Sequence, residues 1–87
     1  MRVISYHGPK NFRLDHRPDP ELAPGEARLQ VEACGVCGTD VRIYKGEHSA
    51  YEHAIGRVPG HEIVGRIVEI SADAQIDEVR TGDRVFV

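Results

Sequence analysis

The chain has 87 residues, which suits one small domain, and its composition, 40% hydrophobic and 29% charged, is ordinary for a soluble globular protein. The net charge is −3, and the basic residues are scattered among acidic ones. We therefore expect no nucleic-acid partner and, because no apolar run has the length of a membrane span, no membrane partner.

The first half of the chain predicts three strands. Residues 2–6 and 11–15 have the character of two short strands joined through Gly8-Pro9 as a hairpin. Pro24-Gly25 then marks a turn. Residues 26–33 follow it and alternate apolar with polar side chains, which is the period of a half-buried strand.

One short helix is predicted over residues 39–45. Thr39 or Asp40 can cap its N-terminus, and Gly46 can end it in the left-handed conformation. A polar loop is expected to follow, over residues 46–60.

The last third of the chain is ambiguous at residues 63–70, whose apolar side chains would also suit a helix face. Their β-branched residues and the interior Gly65 favour a strand. A Thr-Gly-Asp turn then precedes the strand-like sequence RVFV, and we expect a chain ending this abruptly to be a piece of a longer one. The sum is a mostly β domain of five or six strands, a sandwich or a barrel.

Cys34 and Cys37 are the only cysteines and are compatible with three kinds of site. A thiol-disulfide pair belongs at a helix N-terminus in a βαβ pattern, whereas this sequence alternates as β strands do, and a four-cysteine zinc site needs a second C-x2-C pair, which these residues lack. The third interpretation separates them: Cys34 is a small buried side chain, and Cys37, just before the helix, is a metal-binding thiolate. Without an export signal, two cysteines also indicate a cytoplasmic location.

A partner for Cys37 lies 24 residues on, where Pro59-Gly60 makes a turn and His61 opens an apolar segment. A histidine at a strand start is often structural. The carboxylate of Glu62 beside an apolar run is costly, however, unless it is paired or metal-bound. Adjacent residues of a regular strand point to opposite faces, so His61 and Glu62 can share one metal only where the backbone is irregular.

Thr39 and Asp40 each allow two interpretations. The Thr39 hydroxyl could pass a proton at a metal site, and Asp40 could accept the distal N–H of a ligating histidine, which would fix its tautomer. Taken alone, both residues are more commonly helix caps.

Three segments, GVCGTDVRIYKGEH at 35–48, VPGHEIVGRIVEIS at 58–71 and GDRVFV at 82–87, resemble the N-terminal catalytic segment of the zinc-dependent medium-chain alcohol and polyol dehydrogenases. The resemblance covers nearly the whole chain and keeps the family's order. It implies a mostly β, GroES-like, partly open β-barrel with one short helix over residues 1–87. This would be the N-terminal part of a catalytic domain whose Rossmann coenzyme domain is absent from this chain.

The resemblance also implies roles for five residues. Cys37 and His61 are similar to the family's zinc ligands, and Glu62 to a glutamate beside the metal that enters the coordination shell in some members. Thr39 is similar to the residue that relays the substrate's proton, and Asp40 to the carboxylate that supports the ligand histidine. A further ligand comes from later in the family's chain.

The function implied is that of an NAD(P)-dependent oxidoreductase acting on a small alcohol, polyol or amino-alcohol, homo-oligomeric at full length. Zinc would polarise the substrate hydroxyl, and hydride would pass to NAD or NADP bound by a domain not present here. The chain has no G-x-G-x-x-G fingerprint, so we expect these residues alone to be inactive.

Two other classes remain compatible with the sequence. One is a stand-alone GroES-like module used for binding or assembly without enzymatic activity, and the other is a small thiol-redox protein that uses Cys34 and Cys37. In the dehydrogenase interpretation the loop of residues 46–58 borders the substrate pocket, and otherwise it is solvated. Its candidate contact residues are His48, Tyr51, Glu52 and His53.

Overall fold

The computed structural model describes residues 1–87 and contains five strands, one α-helix and one short 3-10 helix. In chain order they are β1 (Arg2–Tyr6), β2 (Phe12–His16), β3 (Ala27–Gly35), α1 (Gly38–Lys45), the 3-10 helix Ser49–Tyr51, β4 (Glu62–Ile70) and β5 (Arg84–Phe86). The predicted mostly β fold with one short helix is confirmed. None of the helices is long and apolar enough to cross a membrane.

The elements divide between two compact units. The first comprises Met1–Asp19 and Val36–Gly60, and the second comprises Pro20–Gly35 and His61–Val87. Each unit has its own antiparallel sheet, β1-β2 in the first and β3-β4-β5 in the second. Both sheets are open, since the strand order of neither closes into a barrel.

β1 and β2 form the predicted hairpin. Gly8, in the connection between them, has a φ of 117°, a conformation that costs other residue types more than glycine. Tyr6 is 3% exposed, and its ring meets the rings of Phe12 and Tyr51 edge-on, with centroids 6.2 and 5.7 Å away. Such aromatic pairs contribute about 0.5–1.5 kcal/mol each beyond their buried area. Tyr6 and Ile43 of α1 are the buried hydrophobic side chains of the first unit.

α1 begins one residue before its predicted start. Its N-cap is Cys37, so the prediction that Thr39 or Asp40 caps it is wrong. A cap must precede the first helical residue, and Cys37 meets that requirement because its backbone is extended, with φ −121° and ψ −179°. The C-terminal prediction is confirmed: Gly46 has a φ of 77°, and its N–H bonds to carbonyls of the last turn.

The second unit is organised around β4, which pairs with β3 on one side and β5 on the other. The β3–β4 register runs from Ala27 opposite Ile70 to Gly35 opposite Glu62. The ambiguous segment is therefore a strand, and its Ile67, 4% exposed, is the buried hydrophobic side chain of this unit.

Two register shifts interrupt the β3–β4 ladder, and one of them lies between Val31 and Ala33. An extra residue in one strand moves the alternation of side chains by one step, so sequence parity no longer assigns each residue to a face. Val31 is 52% exposed, although the alternation predicts a half-buried face. Cys34 is also exposed, so its predicted burial is wrong.

A polar cluster lies in the β1-β2 hairpin around Ser5, whose side chain is fully buried. The Ser5 hydroxyl donates to the carboxylate of Asp15, and His7 Nε2 lies 2.9 Å from Ser5 Oγ. Arg17 Nη2 is 3.6 Å from Asp15 Oδ2 and donates to the carbonyl of Gly56 at 2.6 Å. The hydrogen bond from Ser5 lowers the pKa of Asp15, desolvation opposes the shift, and His7 and Arg17 reinforce it.

We predict that Asp15→Asn removes a pH-dependent part of the stability. The folded-state pKa of Asp15 is below its unfolded value of about 3.9, so its stabilisation is complete above that value and is lost as the pH falls through the lowered one. Urea unfolding midpoints should be measured for both chains from neutral pH to about pH 3. The stability difference between wild type and Asp15→Asn should shrink as the pH falls. Ser5→Ala should reduce the same pH-dependent difference, and a difference that is constant with pH would contradict the prediction.

Gly65 of β4 permits a close approach of β3. A Cβ at this position would lie 2.5 Å from the carbonyl oxygen of Gln30 and 3.0 Å from Leu29 Cγ. Because the nearest atom belongs to the backbone of the neighbouring strand, the clash cannot be relieved by rotating a side chain.

We predict that Gly65→Ala destabilises the chain by about 1–3 kcal/mol, the usual effect of overpacking. Thermal unfolding followed by circular dichroism should show Tm falling by about 4–8 °C for each kcal/mol. Gly38→Ala is the matched control, since a Cβ there would meet no atom within 4 Å and its φ is not positive. Equal losses in the two variants would contradict the assignment.

Candidate metal site

Cys37 lies where β3 has ended and α1 begins, at a helix terminus whose first N–H groups lack partners within the helix. Its side chain accepts a hydrogen bond from the backbone N–H of Asp40, and Asp40 Oδ2 accepts one from the backbone N–H of Cys37 at 2.9 Å. This is a capping box in which sulfur takes the place of the usual hydroxyl. The sulfur therefore faces backbone N–H dipoles, which suit an anionic ligand atom.

The residues after Cys37 are held in the same turn of the helix. Cys37, Thr39 and Asp40 are all half-buried, and neither cysteine of the chain forms a disulfide. The sequence left Asp40 with two interpretations, and the structure shows it at the third helical position of the capping box, where its carboxylate accepts the Cys37 N–H, and not at the N-cap itself. Its support of a ligand histidine stays a prediction, as does proton relay by Thr39.

His61 and Glu62 stand at the entrance to β4. Gly60, just before them, has a φ of 112°, so the chain turns sharply there. His61 is exposed and lies outside the strand, whereas Glu62 is its first residue and is half-buried. The irregular backbone that would let these two neighbours face one metal is therefore present at His61.

Glu62 lies against the last residue of β3. It is paired with Gly35, and a Cβ added to Gly35 would be 3.1 Å from Glu62 Oε2. The carboxylate thus lies across the position where any other residue would carry its side chain. Sequence reasoning did not single out Gly35, because only the strand register reveals which residue it faces.

The donor atoms of the predicted ligands fit zinc. Cys37, His61 and Glu62 offer a thiol, an imidazole and a carboxylate, which are the three ligand types that protein zinc sites use. Calcium and magnesium take oxygen ligands instead, so a set containing sulfur and nitrogen disfavours both.

Two of the residues predicted to contact substrate, His48 and Tyr51, make contacts within the loop that follows α1. His48 caps the 3-10 helix through its ring, and Tyr51 packs edge-on against that ring at 5.7 Å, with the Arg57 guanidinium 4.8 Å from the Tyr51 centroid. Glu52 and His53 are exposed. His48 and Tyr51 thus have a structural role, and contact of the loop with substrate stays a prediction.

Comparison with known proteins gives consistent matches. The family model for the alcohol dehydrogenase GroES-like domain matches residues 23–87. An erythritol/L-threitol dehydrogenase of Mycolicibacterium smegmatis is 37% identical, over 98% of this chain and 26% of that protein. An uncharacterized zinc-type alcohol dehydrogenase-like protein of Haemophilus influenzae is 38% identical, over 100% of this chain and 25% of that protein.

Solved structures agree with the sequence matches. A short chain alcohol dehydrogenase from E. coli CFT073, complexed with the cofactor NADH, superposes with a TM-score of 0.81 at 32% identity, over 100% of this chain and 24% of that one. The chain spans about a quarter of the length of the curated relatives it matches.

We predict that Asp40→Ala lowers the stability of the chain by about 1 kcal/mol, in the range measured for lost helix caps. Asp40→Asn keeps a side-chain oxygen that can accept the Cys37 N–H, so this variant should lose less stability than Asp40→Ala. Urea unfolding followed by far-UV circular dichroism measures both. Arg42→Ala, at an exposed position of the same helix, is the control and should stay within about 0.5 kcal/mol of wild type. Similar losses in all three variants would argue against the capping box.

Proposed function

Because this chain belongs to the alcohol dehydrogenase GroES-like domain family, we propose that it forms the N-terminal catalytic segment of a zinc-dependent NAD(P) alcohol or polyol dehydrogenase. The family match also confirms the GroES-like fold expected from the sequence. The observation that carries the proposal is the position of Cys37. Its sulfur caps α1 and accepts a backbone N–H, in a chain similar to a protein described as zinc-type.

Cys37, His61 and Glu62 are the residues proposed to hold the zinc. The register of the second sheet supports this set. Gly35 is paired with Glu62, so the chain leaves β3 towards Cys37 at the same end of the sheet at which it enters β4 through His61. Asp40 is proposed to support the ligand histidine as well as capping Cys37.

Bound zinc supplies a Lewis acid that lowers the pKa of a substrate hydroxyl. Thr39, half-buried two residues after Cys37, would take the released proton and pass it outward, since a hydroxyl can accept one hydrogen bond while donating another. The capping contacts of Asp40 keep this first helical turn in place. Hydride would pass from the substrate carbon to the nicotinamide of NAD or NADP, bound by a coenzyme domain outside residues 1–87.

The proposal also covers the substrate, the coenzyme, the oligomeric state and the cellular location. The proposed substrate is a small polyol, alcohol or amino-alcohol; the name of the Mycolicibacterium smegmatis relative supports a polyol, and the NADH of the E. coli structure supports a nicotinamide coenzyme. We propose a homo-oligomeric, cytoplasmic enzyme with neither a nucleic-acid nor a membrane partner. Residues 1–87 would be inactive without the coenzyme domain.

We predict that the chain binds one zinc ion and that Cys37→Ala and His61→Ala each weaken this binding strongly. The loss should exceed the roughly 10–100-fold cost of removing a residue that only supports a ligand. Equilibration with zinc followed by metal analysis gives the stoichiometry, and competition with a chromophoric chelator gives the affinity.

Cys34→Ala is the matched control, because Cys34 is an exposed cysteine three positions away. It should bind zinc as the wild-type chain does. Equal loss in Cys34→Ala and Cys37→Ala would favour a paired-thiol site, and absence of zinc binding in the wild-type chain would contradict the proposed ligand set.

A further inference from the structure

Gly35 is the last residue of β3, and its partner across the ladder is Glu62. An ideal Cβ at Gly35 would lie 3.1 Å from Glu62 Oε2, 3.3 Å from its Cβ and 3.7 Å from its Cδ. All three nearest atoms belong to the Glu62 side chain. The space that a larger residue would fill at position 35 is therefore occupied by this one glutamate.

The backbone does not require glycine at this position. The glycines that need the left-handed region are Gly8, Gly25, Gly46, Gly56, Gly60 and Gly82, and Gly35 is not among them. An alanine could adopt the same φ and ψ without strain. The missing side chain at Gly35 is therefore explained by its neighbour and not by its conformation.

Glu62 itself is half-buried at the head of an apolar strand, where a carboxylate is costly without a partner. None of the lysine or arginine ion pairs of the structure involves its carboxylate. At the strand end its side chain lies against Gly35, where an added Cβ would be 3.1 Å from Oε2 and 3.3 Å from the Glu62 Cβ. The packing of Glu62 against Gly35 is therefore a contact that bears on where this carboxylate lies.

We propose that Gly35 is a positioning residue for Glu62: its missing side chain lets the carboxylate lie across the end of β3 and so sets the place from which it contacts the zinc. This inference rests on the proposed function. Metal–ligand distances hold within about 0.2 Å, so a displacement of a few tenths of an ångström is enough to change coordination. A Cβ at position 35 would impose a displacement of that size.

Gly35→Ala tests the proposal, with Gly38→Ala as the matched control. Gly38 lies three residues further on, at the first position of α1; it has no positive φ, and a Cβ there would meet no atom within 4 Å. We expect Gly35→Ala to weaken zinc binding by about 10-fold, the lower end of the effect of losing a residue that orients a ligand. Gly38→Ala should bind as wild type does.

Two further readouts separate positioning from a general structural effect. In the metal-free chain, nuclear Overhauser contacts between the Gly35 Hα and Glu62 Hγ protons should be present, and the Glu62 side-chain resonances should shift in Gly35→Ala. With cobalt(II) as the probe, the d–d absorption bands should change in Gly35→Ala, while the sulfur charge-transfer band from Cys37 stays. In a Glu62→Ala background, Gly35→Ala should have little further effect on zinc affinity.

Each outcome has a defined meaning. If the wild-type chain binds neither zinc nor cobalt, the proposed function fails and this inference fails with it. If wild type binds both metals and Gly35→Ala matches Gly38→Ala, the positioning role alone is overturned. Unfolding of Gly35→Ala would also overturn it, because glycine would then be required by the backbone.

Discussion

The antiparallel pairing of β3 with β4 is the constraint on which the candidate site depends. It sets Gly35 opposite Glu62, so the exit of one strand lies beside the entrance of the other. The chain has 26 intervening residues, 36–61, between these two points. The ladder therefore converts a large separation in sequence into a short one at a sheet end. A slip of one residue would reverse the face of every side chain in the strand, and β-bulges help to fix the register.

Two glycines serve this pairing in different ways. Gly65 lies opposite Val31, where a side chain would collide with the backbone of the neighbouring strand, so its role is structural. Gly35 faces the side chain of Glu62, with Oε2 3.1 Å and Cβ 3.3 Å from an added Cβ, so a substitution there would meet side-chain atoms and not the backbone of the neighbouring strand. Of these two glycines, Gly65 thus allows the backbones of β3 and β4 to pack closely, and Gly35 leaves room for the side chain of Glu62.

The sequence predicted the elements well and the surroundings of single residues less well. Alternation and turn residues predicted the hairpin, β3 and the last strand, and a glycine at the helix C-terminus predicted the end of α1 at Gly46. These signals are local, so they can be recognised from the sequence alone. Burial of Cys34 was predicted wrongly, since it rested on the general tendency of cysteine to be buried and not on the contacts of this position. The contact of Gly35 with Glu62 depends on register between distant segments, which no local pattern encodes.

The cap of α1 shows why spacing alone could not decide the roles of the two cysteines. Cysteine is not among the residues preferred at an N-cap, so propensity favoured Thr39 or Asp40. The extended backbone at Cys37 overrides that preference, and the carboxylate of Asp40 completes the box from the third helical position. Cys34 ends up inside a strand and exposed, while Cys37 ends up at a helix terminus with an N–H on its sulfur. Because β3 ends between them, the two thiols have different electrostatic surroundings, and only that of Cys37 suits an anionic metal ligand.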